Sequence, residues 1–398
     1  MGVTYISSIK ELKLDKKKVF IILPNNCIGG AEKMAFNLGF LQDLDVRYIL
    51  FEKVDGYNFN DENCIVLNKR KIKLKYYFFI YIIKLMLIKL RYKNDIFLSF
   101  LTIPNIVNIL TGGICYISVR SIESFYLNFY PNSLSIKFFD TFFSKKLFKL
   151  AKKVIAVSDN CKDDLIKNYF VKPEKIFVLP NFIDENRILK LSHENYIKKN
   201  IQDKFNEKII LGTISRLAPY KGIYELVHFY SKLKTKLNNL ILIIVGDGED
   251  RERIFSLCKS LNLSYTFNIN DFGKSNYDIY FAGSQKNPYP YLKNFDIFIT
   301  NSYIEGFPNT VLEAMFLGCR IISSDSTDVL YKLKDINENF EILPRYDSSD
   351  EKTELWLKAF DKMYNDVILN NKQRVKYPNL QNYYMNNALK KWKECLLS

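Results

Sequence analysis

Two cations and two carboxylates in the second half of the chain have the types and spacing for chemistry. Arg216 and Lys221 flank Leu-Ala-Pro-Tyr in a loop that follows an apolar run, and a bent loop there aims both cations at one point. Arginine gives phosphate a forked contact and lysine a point charge, so the pair suits a diphosphate. Glu305 and Glu313 bracket Gly306-Phe307-Pro308-Asn309-Thr310-Val-Leu. Backbone N–H groups of Gly306, Phe307, Asn309 and Thr310 around a helix start suit anionic oxygens, and the carboxylates suit vicinal hydroxyls. Charge for phosphate beside carboxylates for ribose and hexose hydroxyls specifies a nucleotide sugar better than a simple nucleotide. Paired hydrolytic acids are the rival chemistry for two glutamates, but no sugar-ring aromatic platform or hydrolase motif accompanies them. The missing P-loop argues against an NTPase.

An isolated Arg-x4-Lys reads as a solvated loop. Its position changes that. Lys208–Ile214, Leu240–Val245, Tyr277–Phe281, Asp296–Thr300 and Arg320–Ser323 read as strands alternating with helices, which predicts a parallel sheet. The Arg216–Lys221 loop, Gly246–Gly248, Gly283–Tyr289 (with Asn287) and the Glu305–Glu313 stretch then share its carboxyl edge, where ligands bind. The first half shows the same alternation: strands at Lys18–Leu23, Arg47–Phe51, Asn63–Leu67, Asp95–Phe100, Tyr116–Arg120, Lys153–Val157 and Lys175–Leu179. Gly29 and Gly30 follow the first strand and open a helix, a turn able to face phosphate. Leu101–Asn105 reads as a loop before a helix. Arg120 ends a strand and is the candidate for the cleft on the acceptor side. Polar residues from Asn181 to Glu207 mark a boundary between residues 1–182 and 183–377. The tail helix, about residues 378–398, is free to pack back on the first domain.

The length fits two domains or three. Net charge is +15, which calls for an anionic partner. No nucleic-acid module pattern is present. Seven scattered cysteines without a CxxC pair read as packed thiols in a reducing compartment, and two histidines give no metal spacing. The N-terminus lacks an apolar signal core and no run reaches the ~20 residues of a spanning helix, so a cytoplasmic protein is expected. Residues 69–93 form an aromatic and aliphatic helix with Lys73, Lys84 and Arg91 as a basic stripe. It reads either as a sheet-covering helix with snorkelling lysines or as a helix at the headgroups of an anionic membrane. Residues 122–150, with Phe138, Phe142, Phe143, Leu147 and Leu150, form a second basic aromatic surface.

Together these stretches resemble the retaining glycosyltransferases of family 4, of bacterial surface-polysaccharide type. The carriers are Gly29-Gly30-Ala31-Glu32, Ser215-Arg216 with Lys221-Gly222, Val245-Gly246-Asp-Gly248, Gly283-Ser-Gln-Lys-Asn-Pro-Tyr289 and Glu305-Gly-Phe-Pro-Asn-Thr-Val-Leu-Glu313-Ala-Met. The resemblance covers about residues 18–325. It implies an α/β GT-B fold of two facing Rossmann-like domains. It implies that Arg216 and Lys221 hold the donor diphosphate, Glu305 the transferred sugar and Glu313 the ribose. Gly29 and Gly30 would face the phosphates, and Gly283–Tyr289 would border the base. It implies no metal and no cofactor, the nucleotide sugar, more often UDP-linked, being the substrate. The acceptor would be a glycan or a polyprenyl-diphosphate-linked sugar at the inner membrane surface.

Two features depart from the family. Many relatives carry a histidine in the loop after the strand at Asp95–Phe100, where this chain has Leu101-Thr-Ile-Pro-Asn-Ile; His193 and His228 lie elsewhere. Ser324-Asp-Ser-Thr-Asp328 stands where a Gly-Pro-rich turn is common. Residues 264–276 read as a small insertion. The missing histidine keeps open a binding module without turnover, and the fold alone leaves room for an epimerase or phosphorylase.

Overall fold

The computed structural model describes residues 17–27, 29–54, 56–57, 59, 61–68, 74–122, 129, 143–194, 208–268, 271, 277–334 and 339–398. Among these residues the chain forms two seven-stranded sheets. The first contains β1 (Lys18–Leu23), β2 (Asp45–Glu52), β3 (Cys64–Asn68), β4 (Ile96–Phe100), β5 (Ile114–Val119), β6 (Lys153–Ala156) and β7 (Ile176–Val178), in the order β3-β2-β1-β4-β5-β6-β7. The second contains β8 (Ile209–Ile214), β9 (Leu240–Val245), β10 (Tyr265–Thr266), β11 (Ile279–Gly283), β12 (Ile297–Thr300), β13 (Arg320–Ser324) and β14 (Phe340–Leu343), in the order β10-β11-β9-β8-β12-β13-β14. Every strand pair is parallel. Unbroken apolar runs dictate this. Val19–Leu23 and Leu240–Val245 are buried along their length, as strands covered by helices on both faces must be. The two Rossmann-like sheets expected of the sequence are therefore present.

The strand order reverses at β1/β4 in the first sheet and at β8/β12 in the second. Loops leaving the two strands of such a pair go to opposite faces and open a crevice between them. β8 pairs β12 through Leu211↔Ile297 and Gly212↔Phe298, so the loops after Ile214 and after Thr300 emerge side by side.

Three local readings change. The segment after β4 is no loop. A helix, Thr102–Leu110, begins directly after Leu101, with Pro104 inside its first turn, where the missing N–H costs nothing. The polar boundary holds a helix, Glu185–Ser192, whose N-cap Asp184 accepts from the Arg187 N–H at 3.0 Å. Within the stretch read as an insertion, Tyr265–Thr266 adds the edge strand β10.

The tail crosses back to the first domain. Ile183 bridges to Tyr384, and the helix Met385–Leu397 buries Trp392 against Phe100, ring centroids 6.3 Å apart. Lys153 Nζ donates to the Cys395 carbonyl at 2.7 Å. All seven cysteines are free thiols, five of them buried.

The helix Leu74–Arg91 covers the first sheet with Tyr81 and Leu85. Its other face is apolar too: Phe79, Ile83, Met86, Leu87 and Leu90 are all exposed, Phe79 by 74%. Of the basic stripe, Lys84 and Arg91 are exposed on this helix. Lys84 donates to the Leu67 carbonyl, Lys89 is buried on the Asn108 and Gly112 carbonyls, and Lys73 lies outside the described residues. Phe138 and Phe142 also lie outside them. No helix among the described residues is long and apolar enough to cross a membrane.

Candidate functional site

The switch point of the second sheet brings Lys221 and Glu305 together. Lys221 ends the short turn Pro219–Lys221 after β8, and Glu305 stands in the loop after β12. The ammonium lies 2.5 Å from Oε1, with both side chains under a fifth exposed. The backbone fixes both loops. Tyr303 N–H donates to the Tyr220 carbonyl at 2.8 Å, and Glu305 N–H to the Ser326 carbonyl at 3.0 Å. The serine-rich stretch after β13 thus buttresses the Glu305 loop. Gly222 follows Lys221 with φ +64, and a Cβ there would lie 2.2 Å from the Asn301 carbonyl oxygen. Only glycine allows this turn to rest on the β12 loop.

Glu313 is buried on the helix Asn309–Phe316 and bonded to a different cation. Lys33, from the helix Gly30–Asn37 of the first domain, donates to Glu313 Oε1 and, at 2.6 Å, to the Tyr289 hydroxyl. Tyr289 Oη lies 3.4 Å from the same carboxylate oxygen. Burial works to lower the Lys33 pKa, but Glu313 and Tyr289 outweigh it and hold the ammonium above its ordinary value. Burial pushes the Tyr289 phenol up, with Glu313 adding to it, so the hydroxyl stays neutral. Glu305 and Glu313 therefore sit on separate cations at separate places in the cleft.

The two domains meet around these groups. Gly29 is extended at the helix N-cap, and a Cβ on Gly30 would come within 2.8 Å of Asn309 Nδ2. Asn309 Oδ1 accepts from Asn181 Nδ2 at 2.7 Å. A Cβ on Gly306 would lie 2.2 Å from the Arg120 carbonyl oxygen, so the Glu305 loop rests on the backbone of the first domain. Phe307 is buried and Pro308 leads into the helix whose second residue is Thr310.

Other sequence candidates lie apart from that centre. Arg216 is 63% exposed and pairs through Nε with Glu249 at 3.0 Å. Gly246 turns at φ +140 beneath the Ser215 carbonyl, and Gly283 at φ +67. Asn287 Nδ2 donates to the Leu191 carbonyl and to Glu194 Oε2, both at 2.9 Å, which ties the Gly283–Tyr289 loop to the inter-domain helix. The Arg120 guanidinium stands against both Phe100 and Trp392, 5.9 and 5.7 Å from the ring centroids, and donates to Asn181 Oδ1. Burial pushes it down to about 9, still charged at neutral pH. Glu32 is buried, accepts from the Cys27 thiol at 3.3 Å and is pushed up by burial. His193 bonds the Leu189 carbonyl and His228 faces Tyr346 and Ser348.

Lys33 and Asn181 are what the sequence reading passed over. The signal for Lys33 was its place one residue after Gly29-Gly30-Ala31-Glu32, at the fourth position of the helix. An aromatic group also borders the Lys221 loop. Phe129 meets Tyr220 and Tyr303 with centroids 5.9 and 5.1 Å away, and Arg345 lies 3.7 Å over the Tyr303 ring.

Family models match the chain twice. Residues 28–187 match Glycosyltransferase Family 4, and residues 195–374 match Glycosyl transferases group 1. An uncharacterized glycosyltransferase of Methanocaldococcus jannaschii is 28% identical over 215 residues, 54% of this chain and 48% of that protein. The N-acetylgalactosamine-N,N'-diacetylbacillosaminyl-diphospho-undecaprenol 4-alpha-N-acetylgalactosaminyltransferase of Campylobacter jejuni is 28% identical over 180 residues, 45% of this chain and 43% of that protein. The matched stretch spans about half the length of these curated relatives. The crystal structure of Anabaena HepE, in complex with UDP and glucose, shares the fold with a TM-score of 0.69 and 16% identity, over 96% of this chain and 100% of that one.

Proposed function

Because the chain belongs to the family 4 glycosyltransferases of GT-B fold, we propose that it moves a hexose-type sugar from a nucleotide-sugar donor to a glycan acceptor, in cell-surface polysaccharide or lipopolysaccharide biosynthesis. The donor is UDP-linked ahead of other bases, and the acceptor is lipid-linked. The observation that carries this is the Lys221–Glu305 pair at the sheet's switch point.

In the proposed reaction, Lys221 leaves Glu305 for the diphosphate, and Arg216 leaves Glu249, an exposed pair of small worth. The two cations take up the charge that grows on the departing nucleoside diphosphate, without a metal. Glu305 accepts from the hydroxyls of the transferred sugar and Glu313 from the ribose. The bond from the anomeric carbon to the phosphate oxygen breaks as the bond to the acceptor oxygen forms on the same face. The acceptor proton passes to the departing phosphate oxygen, and configuration is retained.

A nucleotide-sugar panel tests this by thermal shift. A donor at about 100 times its Kd stabilises the protein by about 2.7 kcal/mol. One donor is expected to raise the midpoint clearly, and that donor is expected to support transfer to a polyprenyl-diphosphate-linked glycan. A shift without transfer or donor hydrolysis would favour a binding module. No shift with any donor would remove the reading.

The exposed apolar face of the helix Leu74–Arg91 supports a place at the inner membrane surface, where a lipid-linked acceptor is met. Phe79, Ile83, Met86, Leu87 and Leu90 recur at helical spacing on one side, in a chain of net charge +15. Replacing Phe79, Ile83 and Leu87 together by serine is expected to weaken co-sedimentation with phosphatidylglycerol vesicles about tenfold or more, since each buried apolar side chain contributes about 1.5–3 kcal/mol. Neutralising Lys84 and Arg91 is expected to remove the preference for anionic over zwitterionic vesicles. Unchanged sedimentation of the triple variant would place a protein partner, or water, on that face.

A further inference from the structure

Lys33 has no role in the scheme above, yet it makes the most direct side-chain bond between the first domain and the donor side of the second. Three groups from two domains converge. Its ammonium donates to Glu313 Oε1 and to the Tyr289 hydroxyl, and it stands 5.3 Å from the Tyr289 ring centroid. The lysine side chain is 17% exposed and the Glu313 side chain 8%. A carboxylate that deep needs a partner, and the Lys33 ammonium supplies it. Both bonds on the Glu313 carboxylate fall on one oxygen, Oε1. A carboxylate has about four lone-pair directions, so Oε2 keeps its capacity to accept.

The backbone aims Lys33 there. Its helix starts at Gly30, which is pressed against Asn309 at the start of the helix bearing Glu313. Two helix starts meet head to head. The fourth residue of one then reaches the fifth residue of the other.

We propose that Lys33 is a donor-positioning residue supplied by the first domain: it holds the Glu313 carboxylate by Oε1, so that Oε2 receives the ribose hydroxyls only when the two domains are together. The inference rests on the reading of Glu313 as the ribose carboxylate. It makes ribose recognition a joint property of both domains and couples donor binding to closure of the cleft. Tyr289 serves as the third member, its neutral hydroxyl fixing the rotation of the carboxylate from the loop that borders the nucleoside.

The test is calorimetric binding of UDP, GDP and ADP, each beside its 2′-deoxy counterpart, to the full chain and to Lys33→Met, Lys33→Arg, Glu313→Gln and the Lys33→Met/Glu313→Gln double variant. The wild type is expected to favour the ribose form of the diphosphate it binds best. Lys33→Met is expected to bind that form roughly 10- to 100-fold more weakly, the worth of a charge-assisted hydrogen bond, and to lose most of the ribose preference. Lys33→Arg is expected to restore part of both. The double variant is expected to be no worse than Glu313→Gln, as for two residues acting through one contact. A general loosening of the protein would weaken the ribose and deoxyribose forms alike and leave their ratio unchanged; that result, or unaltered affinity in Lys33→Met, overturns the role of Lys33. If no nucleoside diphosphate binds the wild type, or Glu313→Gln keeps the ribose preference, the underlying reading of Glu313 fails instead. Should Lys33→Met not fold, Lys33→Arg and Lys33→Gln give the same comparison.

Discussion

Glu305→Gln and Lys221→Gln are each expected to lower sugar transfer by about 10²- to 10³-fold, the usual cost of removing one group that stabilises developing charge. The choice of glutamine follows from the geometry. Lys221 and Glu305 lie 2.5 Å apart in a half-closed crevice. Truncating one to alanine would leave the other charge without its partner and add a stability loss to the catalytic one. Glutamine keeps the size of the glutamate and, at both positions, a group able to hydrogen-bond. The two losses are expected to differ in kind. Lys221→Gln weakens the stabilisation of the departing diphosphate, so it falls mainly on kcat. Glu305→Gln loses part of the grip on the sugar and changes donor KM as well. The double variant is expected to be far less impaired than the product of the singles, because each residue works on the same bound donor. Initial rates with the donor found by thermal shift, beside urea unfolding to show an intact fold, decide the matter. Full transfer activity in both purified single variants would sink the assignment.

That Lys221 and Glu305 share one sheet edge was legible in the sequence for a topological reason, though their pairing was not. A run of parallel strands places every following loop on one edge, and β8 and β12 become neighbours at the reversal of strand order. Lys221 and Glu305 then had to emerge side by side, whatever the detail of their loops. Lys33 was hidden for the opposite reason. A lysine stem spans several ångströms and its target depends on how the two domains meet, which no local pattern encodes. The chain also carries 58 lysines and arginines, so one more gave no contrast. Arg120 shows the same limit. Its place at a strand end was readable, but its direction is set by Trp392, which comes from the far end of the chain. The first turn of the helix at Thr102 was read as loop, although a first-turn proline such as Pro104 has no N–H bond to lose. The apolar character of Leu74–Arg91 was readable, but not which of its faces covers the sheet, which Tyr81 and Leu85 decide.

Trp392→Ala is expected to destabilise the first domain by about 3–5 kcal/mol, the range for emptying a core aromatic site. Trp392 is 1% exposed and packs on Phe100 at the end of β4. It also lies against the Arg120 guanidinium, 5.7 Å from its ring, and Arg120 in turn presents its carbonyl to Gly306. Removing the ring therefore opens a cavity under the switch point of the first sheet and frees a cation that Phe100 and Trp392 confine. The expected consequences are a lower urea midpoint, early proteolysis within the tail helix Met385–Leu397, and weaker closure of the Glu305 loop on the first domain. Trp392→Phe separates packing from polarity. The buried indole N–H has no acceptor among the described residues, so phenylalanine gives up little hydrogen bonding and keeps most of the apolar contact. Its cost is expected to be under half that of alanine. Equal midpoints for Trp392→Ala and the wild type would mean that the tail helix adds nothing to the first domain, and that Arg120 and Gly306 meet for reasons lying within the two sheets themselves.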